Sequence, residues 1–295
     1  MYNINSMKRI SERVEIYRRQ TFRLSEQRRL QNVDEAVAFV RERGFIYFWP
    51  IKDVLFPSLW AAVAGNRPVA DAHDDPGHVT WGWKDNMLGK RRWYYAKVLR
   101  GKATIIDLEV APTFYALSEN YGEPEKDYLQ LYADGLLSQP AKLIYETLLR
   151  EGAMDTVHLR RAVQMTRRSS DSAFARGMTE LQRDFRILPV GISQSGGWRY
   201  SFIYEPVHRH FPELVEKART IGRGEARQTL ARTYFEAVGG ASEGELRKLF
   251  QWKPRDVKRT LEGLLASGSI AALPGETPSQ TLYLLPQLLD GESET

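Results

Sequence analysis

Two stretches of the chain repeat one another: 171–190, DSAFARGMTELQRDFRILPV, and 254–273, PRDVKRTLEGLLASGSIAAL, so that one offset of 83 carries the first onto the second. Apolar residues correspond at five positions of the two copies: Phe174, Met178, Leu181, Ile187 and Val190, and Val257, Leu261, Leu264, Ile270 and Leu273. The first three positions lie at i, i+4 and i+7, on one face of a helix, and the last two follow a short turn in a stretch that reads as a strand. The repeat therefore predicts a duplicated helix-then-strand unit.

The residues around each copy complete a larger unit. Two more helical segments precede each copy, and Asp155 is placed to cap the shorter one in the first copy. Ser242 and Glu245 have the spacing of a capping box in the second. Strand formers and a Gly- or Pro-containing turn after each copy predict a β-hairpin. Helix, short helix, third helix and hairpin is the order of a winged helix-turn-helix.

The N-terminal part reads as a third, more divergent unit. We expect short helices over 25–30 and 34–43, the second ending at Gly44, and a hairpin formed by 92–99 and 103–107. The polar stretch 71–90 reads as a loop.

We therefore predict a mainly α protein with small β-hairpins, of α+β class, made of tandem winged-helix modules. The predicted modules span 1–135, which begins with a basic helix, 136–212 and 213–289, and a disordered tail spans 290–295.

The basic residues are unevenly placed. The chain has 42 Lys+Arg against 37 Asp+Glu, a net charge of only +5. Eight basic residues against three acidic ones lie in 8–29, and seven basic residues lie in 84–102, where Asp85 is the sole acid. Clustered cations indicate a polyanionic partner, since neutralising phosphates releases counterions. A solvated helix face is the alternative interpretation of each cluster.

Composition excludes several classes of site. The chain has no cysteine, which rules out disulfides, thiolate metal sites and cysteine nucleophiles. No apolar run is long enough to cross a bilayer and the basic N-terminus lacks the apolar segment of a secretory signal, so we expect a cytoplasmic protein. No motif indicates a cofactor or nucleotide loop. His73, Asp74, Asp75 and His78 could supply metal ligands, but we expect a surface loop and no metal site.

Basic side chains near the third helix of each repeated unit, and basic side chains with one tryptophan in the aromatic-rich segment 81–95, are the predicted nucleic-acid contacts. They are Lys84, Arg91, Arg92, Trp93, Arg167, Arg168, Arg176, Lys253, Arg255 and Lys258. Lys and Arg position a protein on phosphates, and no cluster of Asn or Gln indicates base reading. The alternative for 92–95 is that alternate aromatics, Trp93 and Tyr95, enter a sheet core while Arg92 and Tyr94 face outward.

The segment GFIYFWPI at 44–51, Leu59-Trp60 after it and the module order resemble the AlkZ/YcaQ-type DNA glycosylases over about 23–285. The resemblance implies a C-shaped array with a small β-barrel and a double-stranded DNA partner carrying a damaged or extruded base. It also implies two polar residues after the glycine that hold the water attacking the deoxyribose. The positions that match are Tyr47 and Trp49, which are neither amides nor carboxylates.

Three interpretations of Tyr47, Phe48 and Trp49 stay open at this point: core residues, a stacking platform for a base, or catalysis in which Asp53 or Asp85 replaces the missing groups. The candidate catalytic residues are thus Tyr47, Trp49 and Asp53. The functional alternatives are a DNA-binding protein with the catalytic pair replaced, an active DNA glycosylase with another water-activating residue, and a structural or regulatory module that does not bind nucleic acid.

Overall fold

A computed structural model describes residues 4–69, 75–118, 120, 122–197, 199–275, 277 and 280–289; the tail 290–295 lies outside them. In chain order the helices are α1 Ile4–Thr21, α2 Val33–Arg43, α3 Leu59–Ala64, α4 Val79–Met87, α5 Ala111–Tyr115, α6 Asp127–Ala133, α7 Gln139–Glu151, α8 Thr156–Ala162, α9 Asp171–Arg183, α10 Val207–His210, α11 Pro212–Ala218, α12 Arg223–Val238, α13 Glu243–Phe250 and α14 Pro254–Ala266. The strands are β1 Phe45–Tyr47, β2 Tyr94–Lys97, β3 Ala103–Ile106, β4 Met154–Asp155, β5 Ile187–Ser193, β6 Ser201–Pro206, β7 Gly240–Ser242, β8 Ala271–Leu273 and β9 Leu282–Leu284. This mainly helical chain with small antiparallel sheets confirms the predicted α+β class.

The sequence repeat is a structural repeat. Helices α9 and α14 begin and end at positions related by the same offset. The three apolar positions of each helix are buried, among them Leu181 and Leu264 at 0 % exposure. Burial of such a stripe supplies most of the stability of a helix of this length, because isolated helices are marginal in water.

Each copy also forms the same small sheet. In the first copy the strands are ordered β4-β6-β5, and in the second β7-β9-β8, all antiparallel. The short first strand of each sheet lies just before the second helix of its copy, α8 or α13. The predicted caps hold these helices: Asp155 accepts hydrogen bonds from two backbone N–H groups of α8, and Ser242 and Glu245 form a capping box on α13.

The chain divides into two compact units by its contacts. The first unit combines 1–80 with 224–295, and the second comprises 81–223. Each repeated copy therefore belongs to a different unit. The division passes through the predicted N-terminal module, and the three module boundaries stay a prediction.

The N-terminal segment agrees in part with its predicted elements. Helix α2 ends at Gly44, whose φ of 74° is the left-handed backbone that a glycine C-cap supplies. Strands β2 and β3 pair as an antiparallel hairpin. The stretch 25–30 forms only a 3₁₀ turn at Glu26–Arg28.

The loop predicted over 71–90 is wrong for its second half, where α4 runs from Val79 to Met87. Its buried positions are Thr80, Lys84 and Met87, which have the i, i+4, i+7 spacing of a helix face. Two of these three residues are polar, so the apolar pattern that marks a helix in a sequence is missing here.

The basic cluster of α1 has a structural role in the first unit. Arg18 donates from Nε to the carbonyl of Val238 at 2.9 Å and from Nη2 to that of Gly240 at 2.6 Å. Arg13 Nη2 donates to the carbonyl of Leu289 at 2.9 Å. The end of a helix leaves carbonyl groups without intrahelical partners, and its partial negative charge attracts a cation. Part of the charge predicted to face a polyanion thus caps α12.

The helices of the described residues are each too short or too polar to cross a membrane.

We predict an acid-sensitive contribution from the Asp155 cap. Burial raises the pKa of this carboxyl, but hydrogen bonds from His158, Ser195 and Val157 outweigh it and lower the pKa to about 2, from 3.8. A lowered carboxyl pKa stabilises the fold above the unfolded value, and that stability is lost as pH falls through the folded value. Asp155→Ala should therefore cost about 1–2 kcal/mol near pH 6 and progressively less between about pH 4 and pH 2.

Urea unfolding at each pH measures this difference. Ser58→Ala is the matched control, because Ser58 caps α3 with a neutral hydroxyl that accepts from Ala61 N–H. Its cost should be independent of pH. A cost of Asp155→Ala that is equally constant from pH 6 to pH 2 would contradict the assignment.

Candidate nucleic-acid interface

Basic side chains of α14 lie on its exposed face. Lys253 precedes the helix, and Arg255, Lys258 and Arg259 lie on it; all four are exposed. The opposite face is buried, with Val257 at 0 % exposure. The face left outside is therefore cationic over two helical turns. Long basic side chains on such a face can reach successive phosphates of a duplex.

The corresponding helix of the second unit has a similar charge pattern. Arg167 and Arg168 lie at the 3₁₀ turn before α9, and Arg176 lies on the helix; all three are exposed. The structure thus brings the basic residues predicted in each copy to the surface of their own third helix. The phosphate contacts themselves stay a prediction.

Tyr47 lies in the interior of the first unit. It is 0 % exposed in β1, and its backbone N–H donates to the carbonyl of Pro57 at 3.0 Å. Its ring meets Phe56 edge to face at 6.0 Å between centroids. In this conformation the phenol does not reach solvent, which favours the core interpretation for this residue.

Trp49 is half-buried in a cluster of rings. Its ring centroid lies 6.3 Å from that of Trp60 and 5.5 Å from that of His78. The Arg67 guanidinium lies 4.9 Å from the Trp60 ring centroid, a cation–π contact. The ring of Trp49 is therefore packed against rings of its own unit, and the residue as a whole is partly exposed.

The carboxylate of Asp75, one of the residues considered as metal ligands, is engaged by the protein. It accepts a hydrogen bond at 2.7 Å from Arg67 Nη2 on each oxygen, and Oδ1 accepts from Gly77 N–H. The hydrogen bond from Arg67 lowers the pKa of Asp75, desolvation opposes it to a smaller extent, and the Gly77 N–H also lowers the pKa. His73 and Asp74 lie outside the described residues. Asp75 is thus the acidic partner of an ion pair with Arg67 in this loop.

Asp53 opens on a cavity of about 500 Å³ in the first unit. The cavity, here the Asp53 cavity, is lined by Asp53, Val54, Leu55, Tyr234, Glu245, Lys248 and Leu249. Asp53 is exposed in the turn between Ile51 and Val54, with a φ of 59°. Asp and Asn tolerate this left-handed backbone better than most side chains. Of the three candidate catalytic residues, Asp53 lines this cavity.

Lys84 was predicted to contact phosphates, but its side chain is 1 % exposed. Its Nζ lies 2.7 Å from Asp85 Oδ1 and donates to the Tyr200 hydroxyl at 2.9 Å. The Tyr200 hydroxyl donates in turn to Asp85 Oδ1 at 2.9 Å. The ammonium therefore serves a buried polar network in the second unit, in place of the predicted phosphate contact.

Aromatic rings enclose the same ammonium. Nζ lies 4.5 Å from the ring centroids of Trp81 and Phe202 and 5.8 Å from that of Tyr95. Burial lowers the pKa of Lys84 and the bond to Asp85 opposes this. Because Phe202 and Tyr200 belong to the β5–β6 hairpin region and Lys84 to α4, the network fastens that hairpin to the helix.

The remaining residues of the aromatic-rich segment divide between core and surface. Trp93 and Tyr94 are buried, and Tyr94 stacks on Phe185 at 4.5 Å. The alternative interpretation, in which Tyr94 faces outward, thus fails at this residue. Arg92 is exposed, and Arg91 is exposed in an ion pair with Glu213. Trp93 is consequently a core residue. Of the predicted contacts in this segment, Arg91 and Arg92 lie at the surface.

We predict that Lys84→Met destabilises the protein by about 3–5 kcal/mol, because it leaves the Asp85 carboxylate without its ammonium in a mostly dry site. The double variant Lys84→Met/Asp85→Asn should recover part of that loss. Lys97→Met, at an exposed position of β2, should change stability by less than about 0.5 kcal/mol. Urea unfolding measures all three variants. A Lys84→Met protein as stable as Lys97→Met would refute the structural role.

Comparison with known proteins places this geometry in a family. The solved structure of Streptomyces sahachiroi DNA glycosylase AlkZ matches with a TM-score of 0.58 and 12 % identity, covering 94 % of this chain and 70 % of that one. At this identity the likeness concerns the fold. No curated protein matches the chain. The family model described as AlkZ related matches residues 30–251, which is most of the length, and the chain therefore belongs to the AlkZ-related family.

Proposed function

We propose that this protein binds double-stranded DNA through its phosphates, using the third helices of two winged-helix modules at 136–212 and 213–289. The observation that carries the proposal is the amphipathic α14, whose buried stripe leaves Lys253, Arg255 and Lys258 together at the surface. The same arrangement around α9 supports it, and so does the likeness of the fold to that of the DNA glycosylase AlkZ. Cytoplasmic location stays a prediction.

The proposal includes replacement of the catalytic pair implied by the resemblance. A phenol is a weak base near neutral pH, and an indole only donates. The full burial of Tyr47 adds to this argument, since an attacking water needs access to the group that orients it. We therefore do not propose that Tyr47 or Trp49 activates the water.

A second candidate function is DNA glycosylase activity in which Asp53 activates the water. It is favoured by one observation: Asp53 is an exposed carboxylate that lines a cavity of about 500 Å³. A carboxylate can orient a nucleophilic water and stabilise positive charge that develops on the deoxyribose.

Salt-dependent binding tests the first proposal. In titrations of labelled duplex DNA, log K should fall linearly with log salt, with a slope of about −0.9 per phosphate contact. Arg255→Glu/Lys258→Glu should weaken binding roughly tenfold at about 0.1 M salt and make the slope shallower, whatever the DNA sequence. Arg41→Glu/Arg232→Glu, at exposed positions of α2 and α12 outside the predicted phosphate-binding residues, is the control for net charge.

The control should weaken binding less than the α14 variant and preserve the slope. Binding that does not respond to salt would show that the protein does not bind DNA through its phosphates, and would favour a structural or regulatory module. Equal losses in the two double variants would show that net charge, and not the face of α14, is responsible.

Base release tests the second candidate. Duplex DNA containing N3- or N7-methylated purines is incubated with the protein and free bases are quantified. If Asp53 activates the water, Asp53→Asn lowers the rate by about 10²–10⁴-fold and Tyr47→Phe has little effect. The absence of release by the wild-type protein, or release that survives Asp53→Asn, would eliminate this candidate.

A further inference from the structure

The Asp53 cavity has the size of a small-molecule site. Its volume of about 500 Å³ falls in the range of about 300–1,000 Å³ that ligand pockets occupy. The apolar part of its lining comes from Val54, Leu55 and Leu249, and the polar part from Asp53, Tyr234, Glu245 and Lys248. A few polar groups on a partly apolar wall fix the orientation of a ligand.

Tyr234 is the buried polar group of this cavity. Its side chain is 2 % exposed, yet no side-chain hydrogen bond of Tyr234 occurs among the described residues. The ring is held on two sides, stacked on Phe56 at 5.8 Å and edge-on to Phe250 at 6.1 Å. The hydroxyl is not among the buried polar atoms that lack a partner, so it is open to the cavity and can donate a hydrogen bond to a ligand there.

The two carboxylates of the cavity differ in what they already bind. Glu245 Oε2 accepts from the backbone N–H and from the hydroxyl of Ser242, at 2.8 and 2.9 Å, in the cap of α13. Asp53 is exposed, and among the described residues its carboxylate takes part in no hydrogen bond or ion pair. Asp53 is therefore the carboxylate available to a ligand.

The polar groups of the cavity favour a ligand with hydrogen-bond donors at one end and a negative charge at the other. A carboxylate accepts two parallel hydrogen bonds from adjacent N–H groups. Guanine presents such a pair on its Watson–Crick edge, whereas adenine presents a ring-nitrogen acceptor there, which a carboxylate repels. The Tyr234 hydroxyl can donate to a ring oxygen or nitrogen, and the Lys248 ammonium suits a phosphate.

The geometry points to a nucleotide site: the Asp53 cavity binds a guanine nucleoside monophosphate, with the N1–H and 2-amino groups on Asp53, the ring beside Tyr234 and the phosphate at Lys248. The nucleotide can be free or part of a single DNA strand, since both present the same groups. This inference does not depend on the proposed duplex binding, because the lining residues are distinct from the basic face of α14.

Isothermal titration of the full-length protein with guanosine monophosphate tests the site. Asp53→Asn should weaken binding about tenfold or more, since a charge-assisted pair is lost and an amide N–H₂ faces the guanine donors. Asn also tolerates the left-handed backbone at this position, so the turn is preserved. Adenosine monophosphate should bind about tenfold or more weakly to the wild-type protein.

Two further variants separate the contacts. Lys248→Gln should weaken the binding of guanosine monophosphate severalfold and leave the binding of guanosine unchanged, because only the phosphate contact is lost. Tyr234→Phe should weaken both ligands and preserve the thermal stability, since the stacked ring remains. Glu12→Gln, at an exposed position of α1, is the control for loss of one carboxylate and should bind like the wild type.

The source of the nucleotide is resolved with a second probe, a short oligothymidine containing one guanine, compared with the same oligomer without it. A guanine-dependent gain in affinity that Asp53→Asn abolishes supports the site with a nucleotide in a strand. If neither free nucleotide nor guanine oligomer binds, or if Asp53→Asn binds both as the wild type does, the inference is overturned. Arg255→Glu/Lys258→Glu should leave guanosine monophosphate binding intact, so failure of duplex binding and failure of this site are distinguishable.

Discussion

Burial of one apolar stripe on α9 and on α14 is the constraint on which the repeated units depend. The stripe requires each helix to lie with Leu181 or Leu264 inward, and Leu181 shares a core with Ile187 and Tyr204 of the small sheet and with residues of α7. Once that face is buried, the rotation of the helix is determined, and so is the set of side chains left in water. The exposed cations of both helices are thus a consequence of how their leucines pack.

Exposure separates cations that sequence alone treats as equivalent. Arg18 donates to carbonyl groups at the end of α12, where the charge of the helix terminus favours it. Lys84 pairs with Asp85 inside an aromatic enclosure, where an unpaired ammonium would be costly. Arg255 and Lys258 lie on an open helix face. A formal net charge of +5 therefore says little about the surface available to a polyanion.

Burial also distinguishes the segment 44–51, which carries the family resemblance, from the turn that follows it. Tyr47 packs against Phe56, and Phe56 stacks on Tyr234, so a continuous set of rings links β1 to α12. Tyr47 and Phe56 are buried within this set, whereas Tyr234 lines a cavity together with Asp53, a few positions along the chain from Tyr47. An exposed carboxylate thus lies in the turn that follows the segment carrying the resemblance.

Sequence by itself determined the repeat, the helix caps at Asp155 and Ser242 and the α+β class, because these follow from local periodicity and from hydrogen bonds between near neighbours. It did not locate α4, whose inward face carries Thr80 and Lys84 in place of apolar residues. Nor could it distinguish core from pocket at Tyr47, or predict that Tyr234 and Asp53 share a cavity although 181 positions separate them in the chain. Those outcomes depend on which distant segments pack together, and only the tertiary structure decided them, since burial is a property of the assembled fold.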